Sequence, residues 1–274
     1  MEPTISTHQS ATTGDLPGES PFADESGSRD DFNQSTGWHA QSGPSYWPVI
    51  PIALGLCLIP LDGAVRQWVY SHRVGGDLKR ELEFLQQFGA ISSVVILMFV
   101  VLLMDSRTRD WKWSRIFDWI AAACIAGGAG HLLKIFIGRP RPLFDDPMHV
   151  LGPVGKYPVE LKDGTLALIH AWDYGSGVAS DLWSMPSSHA LAAASLGVSL
   201  TILYPKLRWL CVGLVIVVCI ARVLLGAHYP SDVLVGAGVG WWLASAAMRA
   251  RWGSRLVAAL SPGSRQADDA AVAT

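Results

Sequence analysis

Six apolar runs, separated by polar segments, follow one another along the chain after residue 45. The runs are Trp47–Leu61, Ile91–Met104, Ile116–Ile137, His189–Leu203, Leu207–Leu225 and Val233–Met248. Several are shorter than the roughly 20 residues with which a helix crosses hydrocarbon, but apolar flanking residues extend them. The pattern predicts an all-α bundle of six membrane-spanning helices. Five spans is the alternative, because Pro48, Pro51 and Pro60 interrupt the first run.

The overall composition supports a membrane protein. Half of the residues are hydrophobic, 16% are charged, and the mean hydropathy is +0.29. The formal net charge of −2 indicates no nucleic-acid partner. The cysteines lie inside apolar runs without metal-ligand spacing and are interpreted as small hydrophobic residues. They are Cys57, Cys124, Cys211 and Cys219.

Both ends of the chain are predicted to be disordered tails. Residues 1–45 are acidic and rich in Ser, Thr and Gly, which leaves too little apolar surface to fold. They also lack the basic start and apolar core of a signal peptide. Residues 253–274 form the second predicted tail, so the membrane domain is expected to occupy residues 46–252.

Basic segments indicate how the spans are oriented. They are Ser106–Ser114, Pro205–Arg208 and Arg249–Arg255. Cytoplasmic loops carry an excess of Lys and Arg, and six spans place these three segments on one side of the membrane together with both termini. We therefore expect an integral protein of the plasma membrane with cytoplasmic termini.

Two further features concern packing and access. Glycines recur in the third and sixth predicted spans, and small residues allow close helix approach in lipid. They are Gly127, Gly128, Gly130, Gly236, Gly238 and Gly240.

The long segment 143–183 is expected to be a lid or a substrate-selecting surface, because loops of this length are often functional. Its part Gly164–Trp172 is apolar enough to enter the membrane interface.

Three polar clusters fall at span ends on the predicted non-cytoplasmic side. The first contains Lys134 and Arg141, and the third begins at Arg222. A cation in an apolar stretch is costly and suggests a function. The alternatives are a lysine that extends to the interface and an arginine paired with a carboxylate, although the fifth run contains no Asp or Glu.

The second cluster, Pro186–His189, opens the fourth run. If Pro186 takes the first helical position, Ser187, Ser188 and His189 occupy a first turn whose amides are unpaired. Free amides, hydroxyls and an imidazole at a helix start suit a phosphate group. An ordinary capped helix start is the alternative.

The third cluster continues to His228 and Asp232, which bracket Pro230. Pro230 is expected to start the sixth helix and leave Asp232 in its first turn. There the carboxylate complements the helix dipole and can accept a hydrogen bond from His228, which would fix its tautomer. Cations, a helix start, two histidines and a carboxylate together fit phosphoryl transfer.

These motifs resemble the signature of the type 2 phosphatidic acid phosphatase family, which consists of integral-membrane lipid phosphatases. The matching residues are Lys134-x6-Arg141-Pro142, Pro186-Ser187-Ser188-His189 and Arg222-x5-His228-x3-Asp232. The resemblance covers about residues 115–248. Two positions depart from the common pattern: Ala221 stands where many members have Ser, and Ser188 where Gly is commoner.

The resemblance implies a role for each matched residue. His228 would form a phosphohistidine intermediate, Asp232 would orient it, and His189 would act as the general acid. The phosphate would be held without a metal ion by Lys134, Arg141, Ser187, Ser188 and Arg222. Arg139 lies outside the motif and is expected at most to attract a headgroup.

The implied function is hydrolysis of a lipid phosphate or diphosphate at the non-cytoplasmic membrane face, without a cofactor. Phosphatidic acid, phosphatidylglycerophosphate and polyprenyl diphosphate are the substrate classes that the resemblance suggests. A lipid phosphotransferase using the same phosphohistidine is one alternative. A non-catalytic lipid-binding or transport protein is another, and it would not need two histidines with Asp232. The sequence predicts no oligomeric state.

Overall fold

The computed structural model describes residues 47–106 and 108–260. The predicted tail at residues 1–45 lies outside this range, as does the part of the second predicted tail beyond Leu260. Both stay predictions. The described residues are mainly helical, in agreement with the predicted all-α class.

Nine α-helices occur within the described residues. They are α1 (Val49–Leu58), α2 (Asp62–Ser71), α3 (Gly76–Leu85), α4 (Ile91–Met104), α5 (Arg109–Ile137), α6 (Ser188–Leu203), α7 (Arg208–Leu224), α8 (Pro230–Ala250) and α9 (Trp252–Leu260). One-turn 3-10 segments connect α1 to α2 at Ile59–Leu61 and α3 to α4 at Gln86–Gly89. Each of the six predicted apolar runs therefore lies largely in a helix.

The span count differs from the predicted six. Among the described residues, four segments are long and apolar enough to cross a membrane: Val49–Ser71, Trp111–Phe144, Pro205–Leu224 and Pro230–Ala250. The helices α3 and α4 add a fifth if this pair, bent by 59°, is one span. The helix at the fourth predicted span, α6, has only 16 residues, or about 24 Å at 1.5 Å per residue. Six spans are therefore not confirmed.

Helix α6 is the centre of the bundle. Most of its residues are buried, and it packs most extensively against α8, with α5 and α7 beside it. A helix surrounded by protein in this way buries its apolar side chains without having to reach both membrane surfaces. Its N-terminal end, where Ser187 and His189 lie, is therefore fixed by neighbours on several sides.

The predicted start of the second disordered tail, at residue 253, is wrong. Residues Trp252–Leu260 form helix α9, whereas disorder was predicted from residue 253. The amide of Ser254 donates a 2.8 Å hydrogen bond to the buried Asp118, and Gly253 lies against the backbone carbonyl of Phe117. These contacts with α5 order the segment, and they depend on residues distant in sequence.

The long segment between α5 and α6 contains a small hairpin. Strands β1 (Tyr157–Glu160) and β2 (Leu166–Ile169) pair antiparallel, with Tyr157 opposite Ile169. Val159 and Ile169 point into a small apolar core, whereas Leu166 and Leu168 are exposed. The predicted interfacial segment thus has an apolar outer face, and its role as a lid stays a prediction.

Glycines form close contacts at the centre of the bundle, as predicted for the sixth span. A Cβ atom at Gly240 would lie 2.2 Å from the carbonyl oxygen of Leu191 in α6, and one at Gly236 would lie 2.6 Å from that of Ser187. In the third span the prediction holds only for Gly130, which meets the Leu191 side chain. It is wrong for Gly127 and Gly128, where an added Cβ would meet nothing within 4 Å.

We expect Gly240→Ala to lower the stability of the bundle, because the obstacle is backbone that cannot rotate away. Overpacking of this kind typically costs about 1–3 kcal/mol. The matched control is Gly128→Ala, which adds the same methyl group to a helix in open space and should be neutral or stabilising. Thermal unfolding in detergent measures both, and equal midpoints for the two variants would contradict the assigned contact.

Candidate active site

Backbone hydrogen bonds bring the three polar clusters together. The amide of Ser187 donates to the carbonyl of Asp232 at 3.0 Å, which joins the start of α6 to the start of α8. The amide of Ser184 donates to the carbonyl of Arg139, also at 3.0 Å, which joins the end of α5 to the same place. The clusters predicted at separate span ends therefore form one site.

The start of α6 differs in detail from the prediction. The helix begins at Ser188 with Ser187 as its N-cap residue, so Pro186 precedes the helix and does not occupy its first position. The amide of Ser187 is not free, because it bonds to Asp232. Ser188 and His189 do occupy the first turn, where helix amides have no partner within the helix.

The start of α8 agrees with the prediction. Pro230 is the first helical residue, and Asp232 lies in the first turn. The carboxylate accepts a 2.9 Å hydrogen bond from the amide of Tyr229. This cap ties the buried carboxylate of Asp232 to the residue that follows His228.

The acceptor that orients His228 is the Ser184 carbonyl and not, as the sequence predicts, Asp232. Its Nδ1 donates to the backbone carbonyl of Ser184 at 2.8 Å, while the nearest Asp232 oxygen lies 3.7 Å away, beyond hydrogen-bond distance. The Ser184 hydroxyl in turn donates to Asp232. Because a carbonyl can only accept, the proton sits on Nδ1, and Nε2 carries the lone pair.

Burial also keeps His228 neutral. The ring is 4% exposed, and this burial lowers the pKa of His228 from 6.5 to about 4, although the nearby Asp232 acts in the opposite direction. At neutral pH the imidazole is therefore uncharged, which is the form that can act as a nucleophile.

Three cations approach the two histidines. Lys134 is 5% exposed and donates from Nζ to the carbonyl of Trp183 at 2.6 Å. Arg141 donates to the carbonyl of Ser180 at 3.1 Å. Burial lowers the pKa of His189 from 6.5 to about 4, and Arg222 and these two cations act in the same direction. The three predicted phosphate-binding cations therefore all lie close enough to His189 to influence it.

Two polar atoms at the site are buried without a hydrogen-bond partner among the residues that the structure describes. They are the hydroxyl of Ser187 and the Nε of Arg222. Burying such a group unpaired costs about 1–3 kcal/mol, so native structures seldom leave one unexplained. A hydroxyl and a guanidinium N–H are both donors to an oxyanion, so these two atoms are candidate contacts for a phosphoryl group.

The sequence analysis missed the role of Arg139. Its side chain is 1% exposed and donates to Asp232 at 2.6 Å and to Asp62 at 2.7 Å. It also donates to Ser231, and its guanidinium lies 4.4 Å from the centre of the Tyr229 ring. Arg139 therefore cannot attract a headgroup as predicted, because it is an internal counter-ion for two buried carboxylates.

One signal for this network was present in the sequence. Asp62 is an acid directly after the first apolar run, and a buried carboxylate requires a cation or several donors. The cation that pairs with Asp62 is Arg139, which directly follows Gly138. Gly138 ends α5 with a φ of 59°, a left-handed conformation that glycine adopts without strain. This sharp end to the helix turns the chain so that Arg139 enters the interior.

No group of three or more His, Cys, Asp or Glu residues within 47–106 and 108–260 is arranged to hold a metal ion. Positive charge is brought to the site by Lys134, Arg141 and Arg222. These residues can compensate the charge of a phosphoryl group.

Comparison with known proteins identifies the family. The profile of the PAP2 superfamily matches residues 115–256, which include all three clusters. The chain belongs to the PAP2 superfamily. The resemblance drawn from the motifs is thereby confirmed.

Individual PAP2 relatives cover part of the chain. It is 32% identical over 143 residues to a lipid A 1-phosphatase of Rhizobium etli, covering 50% of this chain and 53% of that protein. It is 27% identical over 163 residues to an undecaprenyl-diphosphatase of Sulfolobus acidocaldarius, covering 58% of this chain and 64% of that protein. This PAP2 chain thus spans roughly half to two thirds of the length of these curated relatives.

A solved PAP2 structure has the same fold. The transmembrane PAP2-type phosphatidylglycerolphosphate phosphatase of Bacillus subtilis superposes with a TM-score of 0.51 at 20% identity. The match covers 74% of this chain and 94% of that protein. The present PAP2 chain therefore has a helical fold of this type. The four or five segments of its described residues that are long and apolar enough to cross a membrane support an integral membrane protein.

Proposed function

We propose that this PAP2 protein hydrolyses a lipid phosphate monoester or diphosphate through a phosphohistidine formed on His228. The observation that carries the proposal is the 2.8 Å hydrogen bond from His228 Nδ1 to the Ser184 carbonyl, which leaves Nε2 as the free nucleophile. The relatives named as phosphatases of lipid A and of undecaprenyl diphosphate support the substrate class.

The first half of the reaction transfers the phosphoryl group to the protein. The Nε2 lone pair of His228 forms a bond to phosphorus while the bond to the lipid oxygen breaks. His189 is neutral in the free protein, and the negative charge of the bound phosphate favours its protonated form, so it takes up a proton with the substrate. It gives this proton to the departing oxygen, and the lipid leaves as an alcohol or, from a diphosphate, as a monophosphate. The positive charge that develops on His228 is compensated by Asp232, 3.7 Å from Nδ1.

The second half releases phosphate. Neutral His189 accepts a proton from a water molecule, the water oxygen attacks phosphorus, and the bond to His228 Nε2 breaks. Both histidines return to their starting forms. Two kinds of group would hold the phosphoryl oxygens throughout. The cations, which also compensate their charge, are Lys134, Arg141 and Arg222, and the hydroxyls are those of Ser187 and Ser188.

The test of this function is phosphate release by purified full-length protein from a panel containing phosphatidic acid, phosphatidylglycerophosphate, lipid A and undecaprenyl diphosphate. Release into water supports a hydrolase. Transfer of the phosphate to an added lipid alcohol in place of water would instead identify a phosphotransferase. No turnover of any kind would favour a binding or transport protein.

We expect the activity to persist in excess EDTA and to be inhibited by vanadate. The cations Lys134, Arg141 and Arg222 supply charge at the site, and vanadate adopts the five-coordinate geometry of the phosphoryl transition state. Phosphate release is measured with EDTA, with vanadate, and with sulfate as the tetrahedral control anion. Loss of activity in EDTA that Mg²⁺ restores would contradict the metal-independent mechanism.

We further propose that the site faces the non-cytoplasmic side. Helix α9, with Arg255, packs near the start of α5, whereas the 143–183 segment packs at its end through Leu151 and Gly138. These two parts therefore lie at opposite ends of a helix of 29 residues, about 43 Å long at 1.5 Å per residue. The positive-inside rule assigns the arginine-bearing end to the cytoplasm.

Cysteine labelling in intact cells tests this orientation. In a variant without native cysteines, Leu168→Cys in β2 should react with an impermeant maleimide from outside. Leu256→Cys in α9 has a comparable exposure, 60% against 65%, and should react only after the membrane is permeabilised. The opposite pattern would place the site on the cytoplasmic face.

A further inference from the structure

The connection between α3 and α4 enters the protein next to the phosphate-binding cluster. Residues Gln86–Gly89, called the elbow here, form a 3-10 turn at which the two helices bend by 59°. The elbow packs against α6 and α7. None of the family motifs includes it, and in the sequence it only extends the second apolar run.

One end of the elbow lies against the backbone of His189. Gly89 is buried, and a Cβ atom at this position would be 2.3 Å from the carbonyl oxygen of His189. Only glycine permits this approach without displacement of one of the two segments. The elbow is therefore held at a fixed distance from the first turn of α6.

The other end of the elbow contacts Arg222. The side-chain oxygen of Gln86 accepts a 2.6 Å hydrogen bond from Nη1 of Arg222. The Nε of the same guanidinium is buried without a partner among the described residues. A planar guanidinium held at one nitrogen has a restricted orientation, so this contact determines where its remaining donors point.

The chemistry of Gln86 suits this task. A carboxylate at the same place would pair with Arg222 and cancel the charge that it presents to a phosphate. An amide oxygen accepts the hydrogen bond but leaves the positive charge available. The helix that carries Arg222 supplies no acid of its own, because α7 contains neither Asp nor Glu.

We propose that the two ends of the elbow, Gln86 and Gly89, form a wall of the phosphate site and that Gln86 is a positioning residue for Arg222. The inference rests on the proposed phosphatase function. Gln86 acts on the phosphoryl group through the arginine and does not take part in proton transfer. Its effect should therefore be the same for every substrate that carries a phosphoryl group, whatever the leaving oxygen.

The first test replaces Gln86 by Met, which keeps the length of the side chain and removes the acceptor. We expect kcat/KM to fall about 10- to 100-fold, the usual worth of a hydrogen bond to a charged group. The loss should be equal on a lipid phosphate and on an aryl phosphate, and vanadate should bind more weakly by a similar factor. Gln87→Met is the matched control, because Gln87 is exposed and its amide reaches only the Glu83 carbonyl.

A double-variant cycle separates positioning from a general structural effect. If Gln86 acts only through Arg222, then Gln86→Met combined with Arg222→Met should be no less active than Arg222→Met alone. Losses that multiply would overturn the proposal. The folded fraction of each variant is followed by thermal unfolding, and Gln86→Ser serves in the same cycle if Gln86→Met does not fold.

Vanadate binding, measured by calorimetry on the full chain in detergent, distinguishes this inference from the proposed function. If the wild-type protein binds vanadate but hydrolyses no lipid phosphate, the proposed phosphatase function is wrong. The proposed role of the elbow in anion binding can still be tested with vanadate. Weaker binding by Gln86→Met than by Gln87→Met would then support the elbow as a wall of an oxyanion site. Equal affinities for the two variants, or no binding by the wild type, would overturn it.

Discussion

His228→Ala is expected to abolish phosphate release from every substrate, whereas His189→Ala should spare substrates with a good leaving group. The first variant removes the nucleophile, so no phosphoenzyme can form. The second removes the proton donor. The contribution of this donor to the rate depends on how basic the departing oxygen is. A lipid alkoxide needs the proton, but a nitrophenolate can leave without it.

General acid catalysis contributes about 10²–10⁴-fold, so His189→Ala should lose roughly this factor on a lipid monophosphate and much less on nitrophenyl phosphate. Hydrolysis of the phosphoenzyme should also slow, because the same imidazole activates water. The measurement is the ratio of the two activities for each variant, with the acid-labile phosphoenzyme trapped by rapid quench.

His131→Ala is the matched histidine control. His131 lies on α5, is exposed, and bonds to the Tyr174 hydroxyl at 2.7 Å. It should leave both activities unchanged. Equal losses on the two substrates for His189→Ala, or phosphoenzyme trapped in His228→Ala, would show that the two roles are wrongly assigned.

Arg139→Met should produce the largest loss of stability of any single substitution near the site. It leaves Asp62 and Asp232 buried without their shared cation, and breaking a buried ion pair on one side costs about 3–5 kcal/mol. Activity should fall as well, because Asp232 loses the donor that holds it beneath His228. Unfolding in detergent and phosphate release are measured on the same preparation.

The control for charge removal is Arg80→Met, because the ion pair between Arg80 and Asp77 is exposed at the surface and such pairs contribute at most about 1 kcal/mol. A second comparison adds Asp62→Asn to Arg139→Met, which removes one of the two uncompensated charges. Part of the lost stability should return. If Arg139→Met unfolds no earlier than Arg80→Met, the buried network is not what stabilises this end of the bundle.

Features that depend on neighbouring residues could be predicted from the sequence. Ile91–Met104 is a helix with the predicted ends, because a mainly apolar segment without charged residues satisfies its backbone in lipid by forming a helix. Pro230 starts α8 and places Asp232 in its first turn for an equally local reason. The motif spacings were sufficient to recognise the PAP2 family.

Only the tertiary structure decided what these residues contact. His228 bonds to the Ser184 carbonyl, and Arg139 joins Asp62 to Asp232 across 77 and 93 positions of sequence. Local patterns carry no information on such pairs, because a buried charge takes whichever partner the folded bundle brings within reach. The same reason explains why α9 is ordered by Asp118 and why Gln86 reaches Arg222. The sequence by itself determined which segments are helical and which chemistry they carry, while packing determined the partner of each buried polar group.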